Sequence, residues 1–140
     1  MKPAHPNFGP VLQSVACGWL LCLAVAQAAD WPRFLGPQGD GTSAETNLLD
    51  RFPPDGPQIL WHKPVGTGYS APSVRGACLV LHHREGNEEV VECLDPGTGA
   101  TRWRHAYPSR FTDPYGYNNG PRSSPLLTPD RCFTFGAGAG

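Results

Sequence analysis

Short apolar runs, separated by turn-forming residues, dominate the chain after residue 57. Five runs have strand length: residues 58–65, 70–74, 77–83, 88–95 and 100–107. Each is bounded by Gly, Pro, Asn, Asp or Ser, which interrupt strands and form turns. No run after residue 28 keeps an apolar period of 3.6 residues over the length of a helix. The pattern predicts an all-β fold, in which residues 70–107 form one four-stranded antiparallel meander.

Two of these runs carry apolar residues on both faces. Cys-Leu-Val-Leu at 78–81 and Val-Val-Glu-Cys-Leu at 90–94 do not alternate cleanly between apolar and polar residues. A strand with one face in water does alternate, because successive side chains point to opposite faces of the sheet. The two runs therefore predict a sheet that is covered on both sides.

Residues 29–57 show neither a strand nor a helix period, and their five prolines preclude a long helix. They are predicted to form an irregular lead-in segment anchored by Trp31 and Phe34, with room for one helical turn at 43–46. The whole chain has 17 Gly and 16 Pro among 140 residues, a level near that of disordered proteins. Its 39% hydrophobic residues favour frequent turns between short strands instead.

The first 28 residues are predicted to be a signal peptide. An apolar run at 11–25 precedes Ala26-Gln27-Ala28, a small-x-small cleavage signal. The run is short for a membrane span, so we expect export to the periplasm or outside the cell, with no membrane span after cleavage. An uncleaved anchor is the alternative. The formal net charge of −1 and the lack of a basic patch exclude nucleic acid as a partner.

Part of the sequence occurs twice. Ser-Ala-Pro-Ser-Val at 70–74 matches Ser-Ser-Pro-Leu-Leu at 123–127, and Trp61 and Trp103 stand 42 positions apart. The two Ser-x-Pro copies are 53 positions apart, which places an insertion of 11 residues within 108–120. Repeats of 40 to 50 residues with four strands each are typical of β-propeller blades, whose sheets are covered on both faces.

Residues 93–103 fit the pattern x-x-Asp-x-x-Thr-Gly-x-x-x-Trp. This pattern resembles the tryptophan-docking motif of the quinoprotein-like propellers, also called pyrroloquinoline quinone (PQQ) repeats, with Cys93 in place of the usual Ala. The residues that the resemblance assigns to docking between blades are Asp95, Thr98, Gly99 and Trp103. The carboxylate of Asp95 is expected to accept hydrogen bonds within its turn. Gly97 and Gly99 are expected to permit positive φ, and Trp103 to stack on the neighbouring blade.

The resemblance covers residues 31–140. It implies a partial propeller at 58–140, with a full blade at 69–107, an insertion at 108–120 and an incomplete blade at 121–140. Because a closed propeller needs four or more blades, we expect the chain to be the first part of a longer protein. In closed propellers of this family the N-terminal strand commonly completes the last blade. Residues 58–65 are therefore expected to be an unpaired strand that exposes Ile59, Leu60 and Trp61.

The three cysteines after the signal segment are predicted to be buried small hydrophobic residues, and an odd number cannot all pair within one chain. Cys78, Cys93 and Cys132 lie in apolar runs and show no CxxC spacing, so a zinc site is unsupported. Cys78 and Cys132 occupy equivalent strands of successive repeats, and packed sheets are too far apart for a disulfide between them.

The remaining polar candidates are predicted to be structural. Adjacent residues of a strand point to opposite faces, so His82 and His83 cannot easily bind one metal ion, and a structural or an exposed role stays open. The acidic residues near the turn at 84–87 are predicted to be solvated: Glu85, Glu88 and Glu89. The polar residues of the insertion fit either a ligand contact or a surface loop, and the loop is favoured: Asp113, Asn118 and Asn119.

The resemblance leaves two functions open. Some members of the family are PQQ-dependent alcohol or sugar dehydrogenases with calcium in the active site. Others keep the propeller as a scaffold, such as the propeller subunit of the outer-membrane β-barrel assembly machinery. The enzymes carry a disulfide between adjacent cysteines, which this sequence lacks, and their calcium ligands lie in later blades. We expect an exported, non-catalytic module with a protein partner and no cofactor. The alternative is the N-terminal part of a quinoprotein dehydrogenase.

Overall fold

A computed structural model describes residues 29–46 and 48–138, and the predicted signal peptide lies outside them. Within these residues the fold is all-β. The strands are β1 (Ser73–Arg75), β2 (Cys78–Glu85), β3 (Glu88–Leu94), β4 (Thr101–Pro108), β5 (Leu126–Leu127) and β6 (Cys132–Phe133). The first four form one antiparallel sheet in the order β1-β2-β3-β4, and β5 pairs with β6. The predicted four-stranded meander is confirmed.

The first strand begins later than predicted. Residues 70–72 are not part of β1, and its pairing with β2 starts at Ser73, opposite Val80. Pro72 has no backbone N–H to donate, so it cannot take part in the ladder. Before this interruption the chain already lies beside β2, where Thr67 and Arg84 exchange two backbone hydrogen bonds of 2.8 Å.

Both faces of the central strand β3 are covered, as the apolar pattern predicted. Six of its seven residues are buried. On one face Val91 and Cys93 pack with Val80 of β2 and Leu127 of β5. The lead-in segment also protects the sheet, because Trp31 exchanges two backbone hydrogen bonds of 2.9 Å with Val74 at the edge of β1.

Three local expectations for residues 29–65 were wrong. Phe34 is 67% exposed and anchors nothing, while the ring of Trp31 packs over Gly36. Residues 43–46 do not form a helical turn, and residues 58–65 do not form a strand. The latter segment instead follows the surface of the sheet, where the indole N–H of Trp61 donates to the carbonyl of Pro96 at 2.9 Å.

Equivalent positions of the two sequence repeats lie side by side. Three hydrogen bonds join residues 69–73 to residues 121–125: Tyr69 N to Pro121 O (2.8 Å), Ala71 N to Ser124 Oγ (3.1 Å) and Ser73 Oγ to Pro125 O (2.6 Å). The partners are 52 or 53 positions apart, the separation of the Ser-x-Pro copies. The second copy also ends in a hairpin, β5–β6, as β1–β2 does.

The prediction that all three cysteines are buried small hydrophobic residues was wrong. Cys78 and Cys93 form a disulfide with a Cα–Cα distance of 5.8 Å, and Cys132 is exposed and unpaired among the described residues. The register explains the pair: Cys93 lies opposite Val80, two positions from Cys78, so the cysteines are diagonal neighbours on one face. The prediction that Cys78 and Cys132 do not pair is confirmed.

In residues 29–46 and 48–138, no helix has the length and apolar character needed to cross a bilayer.

Candidate functional site

The turn at residues 95–99 is held together by one carboxylate. Asp95 Oδ1 accepts hydrogen bonds from the backbone N–H groups of Gly97 and Thr98, both at 3.0 Å, and from Thr98 Oγ1 at 3.1 Å. Its other oxygen pairs with Arg102. The Arg102 guanidinium, followed by Thr98, holds the pKa of Asp95 below its ordinary value. The turn therefore keeps one shape while its outer surface stays available for packing.

Trp61 packs on this turn at Gly99. A Cβ atom at Gly99 would lie 2.6 Å from Cε3 and 2.7 Å from Cδ2 of the Trp61 ring, so only glycine permits the contact. The φ of Gly99 is +71°, a region that other residues rarely adopt. Ring stacking and the hydrogen bond to Pro96 together fix the segment that precedes the first full repeat onto that repeat.

Trp103, the tryptophan of the motif itself, makes no equivalent contact within the described residues. It is 43% exposed at the edge strand β4. Its stacking on a neighbouring repeat, like the docking role of the whole motif, stays a prediction. One feature of the sequence points to the role of Trp61. It stands 42 residues before Trp103, the spacing expected of equivalent residues in successive repeats.

A buried carboxylate lies on the other side of the sheet. Glu89 was predicted to be solvated, but it is 0% exposed, whereas Glu85 and Glu88 are exposed as expected. Its oxygens accept hydrogen bonds from Tyr107 Oη (2.8 Å), Ser109 Oγ (2.9 Å) and Ala137 N (3.0 Å). Burial by itself raises the pKa of Glu89. These bonds and the nearby His82 lower it by a larger amount, so its net pKa is below the ordinary value.

His82 completes this cluster as a neutral ring. Its Nε2 lies 3.0 Å from Tyr107 Oη and 3.2 Å from Glu89 Oε2. Tyr107 already donates its proton to Glu89, so both oxygens act as acceptors and Nε2 must carry a hydrogen. Burial lowers the pKa of His82, and the Glu89 carboxylate only partly opposes this effect. Nδ1 is then a buried acceptor without a partner in the described part of the chain.

His83 points to the opposite face, as the strand geometry predicted, and it is also buried. Its Nδ1 accepts a hydrogen bond from Gly66 N at 2.9 Å, so its Nε2 carries the hydrogen and donates to Glu92 at 3.2 Å. Lys63 pairs with the other oxygen of Glu92 at 3.3 Å. The two histidines are structural rather than exposed, and each joins a carboxylate of β3 to β2.

The polar side chains of these clusters are already hydrogen-bonded to one another, which limits the chemistry that they can perform. A surface cavity of about 800 Å³ beside β4 is lined by Glu89, Tyr107 and Ser109, among other residues. The two oxygens of Glu89 already accept hydrogen bonds from several donors. The Tyr107 hydroxyl donates to that carboxylate. Burial, together with this hydrogen bond, raises the pKa of Tyr107. The lone pairs of the Glu89 carboxylate are engaged in this way, so Glu89 serves to join β3, β4 and residue 137.

The insertion at 108–120 is an ordered surface loop. Arg84 of β2 is buried, and its guanidinium donates to the carbonyl groups of Ser109, Phe111 and Asn119 at 2.6–3.1 Å. Asp113 is also buried and accepts from Asn118 N and Tyr115 N, both at 3.1 Å. These two bonds, largest first, lower the pKa of Asp113. The insertion is thus a surface loop fixed by a buried arginine, and a ligand contact of its polar residues is not decided by these bonds.

The side chains that bear on the alternative function, Cys78, Cys93 and Asp113, are already engaged with other groups of the chain. The disulfide joins two strands at a separation of 15 residues, not adjacent cysteines that could form a platform for a ring. Asp113 Oδ2 accepts from Arg122 at 3.0 Å as well as from Asn118 N, so its charge is already compensated by a cation. Within residues 29–46 and 48–138, no group of three metal-ligating side chains converges.

Comparison of the chain with protein-family models, with curated proteins and with solved structures finds no match.

Proposed function

We propose that this chain is an exported, non-catalytic module of PQQ-like propeller repeats that serves as a scaffold for protein interaction. The observation that carries this proposal is the set of hydrogen bonds between residues 69–73 and 121–125. In a propeller the same strand of every blade lies near the axis, so equivalent strands of successive blades are neighbours. A propeller therefore predicts hydrogen bonds between residues one repeat apart, and the bonds between 69–73 and 121–125 join residues 52 or 53 positions apart.

The contact of Trp61 with the turn at Gly99 supports the same proposal independently. Trp61 precedes the full repeat and is the counterpart of Trp103, one period earlier. It contacts the turn that joins β3 and β4, whereas the bonds at 69–73 lie where the chain enters the edge strand β1. Each repeat then covers part of the next one, which is how repeat proteins bury surfaces that a single unit leaves open.

A scaffold role follows from how the polar residues are used. The buried ionisable side chains Glu89, Glu92 and Arg84 are bonded to strands and loops of the same chain. Buried charges with this many partners stabilise one conformation, whereas a catalytic group keeps a position open for the substrate. Outward-facing positions on the edge strand β4 and on the insertion remain for contacts with a partner.

Site-specific photo-crosslinking in cells tests the scaffold role. A photoreactive phenylalanine analogue placed at exposed Arg104 of β4 is expected to yield one protein adduct of constant mass, because β4 is a sheet edge without a partner in the described chain. The same probe at exposed Pro129, in the β5–β6 turn, is the matched control. Adducts from both positions alike, or from neither, contradict a defined interaction face.

Reconstitution tests the alternative directly. The purified chain is incubated with PQQ and Ca²⁺ and assayed with primary alcohols and sugars in the presence of an electron-accepting dye. We expect no reduction of the dye above the rate with PQQ alone. Substrate-dependent reduction that requires the chain would overturn the non-catalytic proposal. An alkaline phosphatase fusion after residue 138, active only outside the cytoplasm, tests export separately.

A further inference from the structure

A second cavity lies on the insertion, beside the first of the bonds between repeats, Tyr69 N to Pro121 O. It has a volume of about 270 Å³ and opens to solvent. The residues that line it are Thr67, Thr112, Asp113, Gly116, Tyr117, Asn118 and Asn119. All of these residues except Thr67 lie in the insertion at 108–120, which is not part of the repeated pattern. The packing of the sheet therefore does not require the cavity. We infer that it is a binding site for a neutral saccharide unit.

The loop around the cavity is held in one conformation before any ligand arrives. Arg84 and Asp113 are both buried, and each is bonded to several backbone groups of the loop. Gly120 lies so close to Thr67 that a Cβ atom there would be 2.2 Å from the Thr67 carbonyl oxygen. Preorganisation of this kind lowers the entropy cost of binding.

Two side-chain amides of the loop have fixed orientations and unused donors. Asn119 Oδ1 accepts a hydrogen bond from Asp113 N, and Asn118 Oδ1 accepts one from Gly120 N, both at 2.8 Å. The oxygens must therefore face the backbone, and the two NH₂ groups have no partner in the described part of the chain. The hydroxyl groups of Thr67 and Thr112 likewise make no hydrogen bond within it.

The charges and shape of the cavity select the ligand class. Its only ionisable carboxylate, Asp113, is compensated by Arg122 and by backbone N–H groups, so the lining offers a ligand no unpaired charge. The available groups are amide donors, hydroxyls and the ring of Tyr117, which is 78% exposed. Sugar hydroxyls both donate and accept hydrogen bonds, and the C–H face of a pyranose ring packs on an aromatic ring. A neutral saccharide matches all three types of group.

Saturation-transfer NMR on the full chain, with triacetylchitotriose, cellotriose and maltotriose as probes, tests this site. We expect at least one trisaccharide to bind with a Kd in about the millimolar range or tighter, with the largest transfer at ring protons. Replacement of Tyr117 by Ala and of Asn119 by Asp should each weaken binding about tenfold or more. Asn119→Asp keeps an oxygen for the Asp113 N–H, removes the NH₂ donor and adds a negative charge, which a neutral saccharide does not compensate.

Arg110→Ala is the control, since Arg110 is in the same insertion, is exposed and does not line the cavity. Tyr115 is unsuitable, because its ring stacks on that of Tyr117 with the centroids 6.3 Å apart. Arg110→Ala should change the Kd by less than about threefold, a small fraction of the loss expected at Tyr117. Absence of binding to all three trisaccharides overturns the inference, as does an equal loss for Arg110→Ala and Tyr117→Ala. Neither result affects the scaffold proposal, whose crosslinking positions lie elsewhere.

Discussion

Glu89 and His82 are buried side by side, although both can carry a charge. The arrangement is stable because Glu89 keeps its charge and receives hydrogen bonds from Tyr107 and Ser109, while His82 stays neutral and donates from Nε2. An ionised group in the interior is tolerated when its hydrogen bonds replace those of water. The cluster is therefore sensitive to any change that removes a charge or adds a proton.

Replacement of Glu89 by Gln is predicted to lower the free energy of unfolding by about 2–3 kcal/mol, because the charge-assisted bonds from Tyr107 and Ser109 are lost or weakened. Urea denaturation followed by fluorescence measures the effect. Glu88→Gln is the control, since Glu88 is exposed and its replacement should cost less than about 0.5 kcal/mol. Equal effects at the two positions would show that the burial of Glu89 does not matter.

Acid is predicted to destabilise the fold in two steps. Burial lowers the pKa of His82 from its ordinary 6.5, so the unfolded chain binds a proton more readily than the folded chain. The free energy of unfolding should thus be fully retained above about pH 6.5 and fall below it, by at most about 1.4 kcal/mol per pH unit from this group. Glu89, whose net pKa is also lowered, adds a loss below its ordinary 4.5.

The variant His82→Gln tests the first step. Its free energy of unfolding should depend less on pH just below 6.5 than that of the unmodified chain, while the loss at lower pH remains. Unfolding by urea at a series of pH values measures both curves. Parallel curves for the two proteins would assign the loss near neutral pH to another group.

At the scale of elements, β2 and β3 are joined in three ways. They share a ladder of seven residue pairs, from Leu79↔Leu94 to Glu85↔Glu88, and the disulfide adds a covalent link at one end. His82 with Glu89 and His83 with Glu92 then bind the strands on the two faces. This hairpin is the most strongly connected part of the sheet.

Removal of the disulfide is predicted to lower stability without changing the strand order. The double variant Cys78→Ala/Cys93→Ala releases a loop of 15 residues and should reduce the free energy of unfolding by about 2–3 kcal/mol. Thermal unfolding with and without reductant gives the measurement. Cys132→Ala, at an exposed thiol, should have little effect; a larger loss for Cys132 than for the pair contradicts the assigned connectivity.

At the scale of the whole molecule, distant segments of the chain contact each other at two places. The first is the row of bonds between 69–73 and 121–125, and the second is the stacking of Trp61 on Gly99. These contacts join segments far apart in sequence, so they contribute to the cooperativity of the fold rather than to any single strand.

The Trp61–Gly99 contact is predicted to be coupled in a double-mutant cycle. Trp61→Ala should cost about 2–3 kcal/mol, less than a fully buried tryptophan, because the ring is only half-buried. Gly99→Ala should cost about 1–2 kcal/mol from its positive φ and the clash with the ring. Since either change removes the contact, the double variant should cost less than the sum.

Gly97→Ala is the control for this cycle. A Cβ atom there meets only Asp95 Oδ1, at 3.4 Å, an ordinary contact. Its cost should be small, and it should add to that of Trp61→Ala. Additive costs for Trp61 and Gly99 would show that the ring does not stack on the turn in solution.

The sequence alone determined β2, β3 and β4 and the order of the four-stranded meander, although it also predicted a strand at 58–65 that does not form. The runs at 77–83, 88–95 and 100–107 match β2, β3 and β4 within about two residues, because strand length and turn residues are encoded by near neighbours. The two-sided apolar pattern of β3 also predicted correctly that both its faces are covered. The repeat that the 42-residue spacing of the tryptophans predicts stays a prediction.

Only the tertiary structure decided which side chains meet. The Cys78–Cys93 disulfide depends on the register of two strands, and the burial of Glu89 depends on Tyr107, Ser109 and a backbone group 48 positions away. The docking of Trp61 depends on a turn 35 positions further along the chain. Local patterns carry no information on such pairs, because a polar residue beside a turn looks solvated until a distant segment folds over it.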